Sequence, residues 1–237
     1  MKTEIHKSHN RGHFDIGWLQ TWHSFSFSNY YNPSRMNFGA LRVLNDDIIQ
    51  PGRGFGMHPH DNMEIITIPL QGSLMHRDNM GGEGIIKTGS AQYMCAGSGI
   101  VHSEFNPSDT EISSLYQIWI EPNKRNVEPR YSQFDYSNSD YNNKFLPIVS
   151  PGNIENTIMI NQDAYIYLTK LNKSKNINYE INNKNSGVFI FLTSGVITVE
   201  ETLLNRRDAI ACSETEKIFI EANEDSEILL LEIPLIN

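Results

Sequence analysis

Cysteine is scarce in this chain, and its scarcity argues against sites built from thiolates. Cys95 and Cys212 are the only cysteines among 237 residues. They lie far apart in the sequence and match no metal-ligand spacing. Free thiols are usual in a reducing compartment, so we expect a cytoplasmic protein in which both cysteines are reduced.

The sequence also lacks the features of nucleic-acid-binding and membrane proteins. Its formal net charge is −9, and basic residues gather only in pairs such as Lys124-Arg125. A nucleic-acid-binding face would need a larger basic patch. No apolar run approaches the length of a membrane span, and the polar, His-rich N-terminus is unlike a signal peptide. We therefore expect neither nucleic acid nor a membrane as a partner.

Histidine is missing from the whole second half of the chain. All eight histidines fall within the first 102 residues, and none lies in the remaining 135. Any chemistry that uses imidazole is therefore predicted to belong to the N-terminal half.

Long helical periodicity is absent, whereas short strand-like runs recur along the chain. They are β-branched and aromatic runs separated by Gly, Pro, Asn and Asp turns, a pattern that predicts an all-β sandwich or barrel. The predicted strands are Met63–Leu70, Ile85–Lys87, Leu115–Ile120, Tyr165–Leu171, Val188–Leu192, Val196–Glu200, Lys217–Ile220 and Ile228–Ile233.

A change of composition divides the chain into two parts. Residues 121–152 hold four prolines and a polar Tyr/Ser/Asn/Asp stretch, which is typical of a linker. The run 187–199 is similar to 63–72, which indicates an internal duplication whose second copy has no histidine. We predict an N-terminal domain over residues 1–125, a linker over 126–152 and a C-terminal domain over 153–237.

Two short motifs in the first half form a metal-ligand pattern. His58 and His60 are two residues apart, as are His102 and Glu104. In a strand, residues i and i+2 share a face, so two such strands side by side would bring three imidazoles and a carboxylate together. This donor set of nitrogen and oxygen, without thiolate, suits a divalent transition metal.

The same residues resemble the motifs of the cupin superfamily. Gly52-x5-His58-x-His60-x3-Glu64 is similar to the first cupin motif, although its closing glycine, Gly72, comes one residue late. The second motif is Gly99-x2-His102-x3-Asn106, with Gly97 in place of the usual proline and Ala91 in place of an earlier glycine. These departures resemble the pirin branch of the superfamily. Further pirin-like stretches, all within residues 10–125, are Trp18-Leu19, Phe25-Ser26-Phe27, Tyr30-Tyr31, 55–60, His76-Arg77-Asp78 and 96–104.

The resemblance implies a bicupin, in which two tandem jelly-roll β-barrels face each other and only the first holds a metal. The implied ligands are His58, His60, His102 and Glu104. Many other cupins use the glutamate of the first motif, here Glu64, as third ligand. Along a regular strand Glu64 would lie roughly 13 Å beyond His60, at ~3.3 Å per residue, so we favour Glu104. Glu64 would then orient a ligand imidazole from outside the metal's own shell.

We expect one divalent metal per chain. Fe(II) is the first candidate, and Ni, Co, Mn, Cu and Zn are alternatives because imidazole and carboxylate bind all of them. Four protein ligands leave positions free for substrate or dioxygen. A redox-capable metal would suit oxygenase chemistry, whereas zinc would suit a Lewis-acid or structural role.

The length and the His-free second half resemble short bacterial pirin-like proteins with quercetin 2,3-dioxygenase activity. This implies a small aromatic, flavonol-like substrate and O2, with Glu104 as both ligand and catalytic base. The alternative is a metal-containing regulatory or redox-sensing protein that binds a protein partner without turnover.

The remaining candidates are given less weight as functional residues. His6, His9 and His13 are predicted to lie in a solvated tail, and His23 in the core or at a rim. His76 is a further candidate for the pocket. Phe25, Phe27 and Cys95 are predicted to be buried in the core.

Overall fold

The computed structural model describes residues 1–235, and the regular secondary structure of these residues is β-strand apart from one short helix. The single short 3-10 helix within them is Ser8–Asn10. The strands up to residue 120 are β1 (Lys2–His6), β2 (Gly12–Asp15), β3 (Leu19–His23), β4 (Leu41–Ile49), β5 (Gly54–His60), β6 (Glu64–Gln71), β7 (Ser73–Asp78), β8 (Glu83–Lys87), β9 (Ser90–Cys95), β10 (Ile100–Phe105) and β11 (Ser113–Ile120). The later strands are β12 (Arg130–Asp135), β13 (Leu146–Ser150), β14 (Ile158–Met159), β15 (Tyr165–Leu171), β16 (Asn176–Glu180), β17 (Ser186–Ser194), β18 (Val196–Val199), β19 (Thr202–Asn205), β20 (Ala209–Ser213), β21 (Lys217–Ala222) and β22 (Ser226–Pro234).

The strands build two similar barrels, which confirms the all-β bicupin prediction. The first barrel pairs a seven-stranded sheet, β12-β9-β6-β11-β4-β3-β2, with a four-stranded sheet, β5-β10-β7-β8. The second pairs β1-β20-β17-β22-β15-β13-β14 with β16-β21-β18-β19. All eight predicted strands are present, and Tyr165–Leu171 has the predicted bounds. Within residues 1–235 no helix has the length and apolar character needed to cross a membrane.

Two segments do not follow the predicted division of the chain. Residues 126–152, expected to be a linker, contain β12, which extends the first large sheet beside β9, and β13, which belongs to the second. β1 belongs to the large sheet of the second barrel, where it pairs with β20 and Lys2 lies opposite Ser213. The solvated tail predicted for His6 is therefore wrong, because β1 places this imidazole in the interior with 6% of it exposed.

The main core lies between the two seven-stranded sheets. Ile66 and Ile68 of the first sheet and Phe189 and Phe191 of the second belong to one buried apolar cluster. β17 is buried on both faces, since Val188, Ile190 and Leu192 point into the second barrel and pack in a separate cluster. Such a strand reads as an uninterrupted apolar run, which is why it was recognisable in the sequence.

The interiors of the two barrels differ in polarity. Apolar side chains fill the second barrel, whereas the first holds two smaller apolar clusters. A row of polar side chains crosses its large sheet through directly opposed strand positions. The row consists of His23, Asn45, Gln117, Thr67 and Gln92, all buried. Because buried polar groups are costly without partners, this row marks the first barrel as the place for a polar site.

Candidate metal centre

Neighbouring strands bring the three candidate histidines together. β5 and β10 pair antiparallel, with His102 directly opposite His58 and Ile100 opposite His60. The ring centroids are 4.4 Å apart for His58 and His102, 4.8 Å for His58 and His60, and 4.9 Å for His60 and His102. One ring nitrogen of each imidazole lies within 4.8 Å of the others, which is a spacing that a single metal ion could bridge.

Glu104 lies next to His102, which is one of these three histidines. Its carboxylate lies within 4.8 Å of ring nitrogens of His76 and His102, and not within one such group with His58 and His60. The pairing of β10 with β5 shifts register between His102 and Glu104, so these two residues depart from the regular strand on which the expectation of a shared face was based. Glu104 nevertheless borders the same pocket as the three histidines.

The Glu104 carboxyl is buried, with 2% of the residue exposed. Gln117 Nε2 donates a hydrogen bond of 2.9 Å to Oε2, while Oε1 has no partner. Burial raises the pKa of this carboxyl to about 7, and the polar neighbours Gln117, Thr67 and Gln92 partly offset that rise. Of these three, only Gln117 completes a hydrogen bond of good geometry.

Behind His102 lies a chain of hydrogen bonds that fixes its tautomer. His76 Nε2 is 2.9 Å from Asp78 Oδ2, and His76 Nδ1 is 3.2 Å from His102 Nδ1. If Nε2–H of His76 donates to the Asp78 carboxylate, its Nδ1 can accept the Nδ1–H of His102. The lone pair of His102 Nε2 then faces the pocket, where this buried atom has no hydrogen-bond partner.

Asp78 is itself held in place by the backbone. Its Oδ1 accepts hydrogen bonds of 2.8 Å from the N–H groups of Met80 and Gly82. Burial opposes ionisation, yet the bonds from His76, Gly82 and Met80 keep the pKa of Asp78 below its usual range. The carboxylate is therefore ionised at neutral pH and can accept the proton of His76.

His60 and His102 are in the neutral form that metals bind. Burial, with the neighbouring His58, lowers the pKa of His60 to about 4 and that of His102 to about 2, so both are neutral at pH 7. His58 Nδ1 lies 2.7 Å from the carbonyl oxygen of Gly56, which leaves Nε2 as its free nitrogen. His102 Nε2 and Glu104 Oε1 are buried and have no hydrogen-bond partner, so their lone pairs are available to bind a metal.

The cavity in front of these groups, here called the metal pocket, has a volume of about 160 Å³. Its apolar walls are Phe27, Phe55, Ile65 and Trp119. Phe27 was predicted to be core, and this is wrong because it faces the pocket from the loop after β3. Phe25, by contrast, is 1% exposed and packs between the sheets as predicted.

Glu64 lies away from the metal pocket. On β6 it shares a face with Ile66 and Ile68, which look toward the second barrel. Its carboxylate accepts hydrogen bonds from Asn161 N at 2.7 Å, Gln162 N at 2.9 Å and the Tyr93 hydroxyl at 2.5 Å. The predicted role in orienting a ligand imidazole is therefore wrong, and Glu64 joins the two barrels instead.

The structure also shows where the other residues singled out in the sequence lie. His76 contacts His102, and His23 borders a neighbouring pocket. Cys95 is buried as predicted. Within residues 1–235, both groups of side chains with metal-binding geometry lie in the first barrel.

Sequence reasoning missed Asp78 and Gln117. Asp78 stands two residues after His76, so the same alternation that selected His58 and His60 could have found it. Gln117 lies in the predicted strand Leu115–Ile120, and only the pairing of β11 with β4 and β6 places it against Glu104.

Comparison with known proteins agrees with this architecture. The Pirin family model matches residues 4–120, and the model described as the quercetinase C-terminal cupin domain matches residues 147–233. A quercetin 2,3-dioxygenase of Escherichia coli K12 is 41% identical over 97% of this chain and 98% of its own length. A pirin-like protein of Caulobacter vibrioides is 38% identical over 93% of this chain and 95% of its own.

A solved structure shows the same fold with a metal. The bacterial pirin YhhW from Escherichia coli, in complex with nickel(II), superposes with a TM-score of 0.93 at 39% identity, over 99% of this chain and 100% of that one. The two family models, the relatives aligned over nearly the full length and the shared bicupin fold lead to one conclusion: the chain belongs to the pirin family of the cupins.

Proposed function

We propose that this chain is a metal-dependent dioxygenase that resembles quercetin 2,3-dioxygenase. The substrate would be flavonol-like, and its central ring would open with O2 and loss of carbon monoxide. The observation that carries the proposal is the convergence of three imidazoles and an unpartnered buried carboxylate oxygen on one aromatic-walled pocket. The high identity to a named quercetin 2,3-dioxygenase over the full chain supports it.

Four side chains would hold one divalent transition metal: His58, His60, His102 and Glu104. When bound, the metal would supply a Lewis-acidic and redox-capable centre for the substrate oxygen and dioxygen. The ligand atoms fit such an ion because all are carboxylate oxygen or imidazole nitrogen and because His102 Nε2 and Glu104 Oε1 have no other partner. The second barrel offers no comparable group within the described residues, so one metal per chain is proposed.

Glu104 would serve as the base that accepts the proton of the substrate 3-hydroxyl. Gln117 fixes Oε2 at 2.9 Å, so Oε1 would be the oxygen that both faces the metal and meets this proton. A base positioned in this way typically contributes ~100- to 10,000-fold to the rate. Phe27, Phe55 and Trp119 would stack against a flat aromatic ring and exclude water around the reacting carbon atoms.

The test is consumption of quercetin in air by protein loaded with Fe(II), Ni(II), Mn(II), Co(II), Cu(II) or Zn(II) in turn. We expect loss of flavonol absorbance with release of carbon monoxide, abolished by a chelator and restored by adding the metal back. Metal-loaded protein that consumes no flavonol would reject the proposal. Such a result, together with metal-dependent capture of a protein partner, would favour the regulatory alternative.

A further inference from the structure

A second cavity, here called the side pocket, lies beside the metal pocket. Its volume is about 280 Å³, and it borders Phe14, Trp18, Thr21 and His23. Phe27, Asn45, Asp47 and Phe55 border both cavities. At about 160 Å³ the metal pocket alone is smaller than the ~300–1,000 Å³ of typical ligand sites, so a multi-ring substrate needs more room. The side pocket is the adjoining space.

One wall of the side pocket is a block of four polar side chains. In the pairing of β3 with β4, Thr21 lies opposite Asp47 and His23 lies opposite Asn45. All four residues are more than nine-tenths buried. Thr21 Oγ1, His23 Nδ1, Asn45 Oδ1 and Asp47 Oδ1 each lack a hydrogen-bond partner. Thr21 lies close enough to Asp47 across the ladder to lower the pKa of that carboxyl, although the two side chains form no hydrogen bond of good geometry.

These four unpartnered atoms favour a polar ligand in the side pocket. Most buried polar groups in proteins are hydrogen-bonded, and four neighbouring exceptions that share one cavity indicate a polar ligand. The facing wall is aromatic and apolar, with Phe14, Trp18, Phe27 and Phe55. A flat ring with hydroxyl groups on its edge would satisfy both walls.

We propose that the side pocket binds the hydroxylated ring of the substrate that lies farthest from the metal, with Asp47 and Asn45 as acceptors for its phenolic hydroxyls. This inference rests on the proposed function and narrows its substrate class to flavonols that carry hydroxyl groups beyond the 3-position. Asp47 acts here as a specificity residue and takes no part in the bond-breaking steps.

The environment of Asp47 favours an uncharged hydroxyl over a cation. Burial raises the pKa of this carboxyl to about 7, and the carboxylates of Asp46 and Glu104 add to the rise, whereas Thr21 and Arg11 oppose it. A divalent metal in the adjoining pocket would lower this pKa and favour the carboxylate, which accepts hydrogen bonds from phenolic hydroxyls. The same positive charge would repel an ammonium group.

The experiment compares two ligands on metal-loaded protein without oxygen, so that binding is measured apart from turnover. Quercetin carries hydroxyls on both outer ring systems, and 3-hydroxyflavone carries only the 3-hydroxyl. We expect wild type to bind quercetin about 10- to 100-fold more tightly, as hydrogen bonds to a buried carboxyl predict. Asp47→Leu should weaken quercetin alone by about 10-fold or more, and Asn45→Leu should act in the same direction. Asp109→Leu, at an exposed carboxylate outside both pockets, is the matched control.

Equal affinities of wild type for the two ligands would overturn the inference, and so would an equal loss of both in the Asp47 variant or no binding of either. The wild-type comparison stands even if a variant fails to fold. Preference for quercetin without any aerobic turnover would reject the dioxygenase proposal and leave the side-pocket assignment intact.

Discussion

The Nδ1 atoms of His102 and His76 lie 3.2 Å apart, and this contact makes the tautomer of a candidate metal ligand depend on Asp78. In Asp78→Asn, one side-chain oxygen can keep the bonds to Met80 N and Gly82 N, but the amide then presents N–H to His76 Nε2. His76 must carry its proton on Nδ1, where it opposes the Nδ1–H of His102. We expect metal affinity to fall about 10- to 100-fold with the fold intact, measured by chelator competition and circular dichroism.

Arg77→Gln is the control for that variant. Arg77 lies between His76 and Asp78 on β7, but its side chain is 58% exposed and pairs with Glu83. Its replacement should leave metal affinity unchanged. Wild-type affinity in Asp78→Asn would show that the His76–Asp78 pair does not orient His102.

Removal of a single imidazole should empty the site. His58→Ala and His102→Ala each delete one of three converging nitrogen donors, so we expect most bound metal to be lost while the protein stays folded, since the main core lies between the large sheets. Elemental analysis should give one metal per chain in wild type and in His9→Ala, which changes an exposed histidine. Full occupancy in both cluster variants, or two metals per wild-type chain, would contradict the ligand assignment.

Exchanging the two glutamates for glutamine should produce opposite defects. Glu104→Gln should keep much of its metal through the three imidazoles and lose flavonol turnover by ~100- to 10,000-fold, because the base is gone. Glu64→Gln should keep turnover and lose about 2–3 kcal/mol of stability, because an amide cannot accept the bonds from Asn161, Gln162 and Tyr93 together. Kinetics and urea unfolding of both variants separate these roles. Normal turnover in Glu104→Gln would refute the proposed base.

His6 should weaken the protein in mild acid. Burial, with the nearby Arg35, lowers the pKa of His6 from 6.5 to about 3, while Glu4 lies 3.6 Å away and is mostly exposed. Only the unfolded chain then takes up a proton between pH 6.5 and 3, so this contribution to stability is present above pH 6.5 and is lost as pH falls. The expected loss from pH 7 to pH 5 is about 2 kcal/mol.

Urea unfolding at both pH values measures that loss. His6→Asn should remove about 2 kcal/mol of the difference between pH 7 and pH 5, whereas His9→Asn should leave the difference as in wild type. An identical acid dependence in wild type and His6→Asn would exclude His6 as its source.

The short-range pattern of the chain predicted much of the first barrel. Alternation along a strand placed His58 with His60 on one face, and the structure pairs that strand with the one that carries His102. Spacing along one regular strand could not place Glu64, because the chain turns between β5 and β6, where Asn62 has a φ of +46°. The distance from His60 to Glu64 therefore cannot be counted along a single strand, and the face of Glu64 is set by β6 alone.

Long-range pairing explains the remaining differences. Residues 130–135 are mostly polar and partly exposed, with Phe134 as the apolar exception, and they become a strand because β9 offers a free edge beside them. Strand formation at such places depends on neighbours rather than on local preference. The side-pocket block has the same origin, since nothing in the sequence brings Thr21 opposite Asp47.

The pairing of β1 with β20 has a consequence for work on isolated domains. In the intact protein β20 lies between β17 and β1, and its residues Ala209–Cys212 are buried. A fragment that begins after the first barrel would leave this apolar strand with one row of unpaired N–H and C=O groups. Exposed edges of that kind recruit other chains. Such a fragment is therefore expected to aggregate through this edge as well as through the apolar sheet face that the first barrel covers. A peptide with the sequence of residues 1–8 would cover the edge alone and should reduce the aggregation only in part.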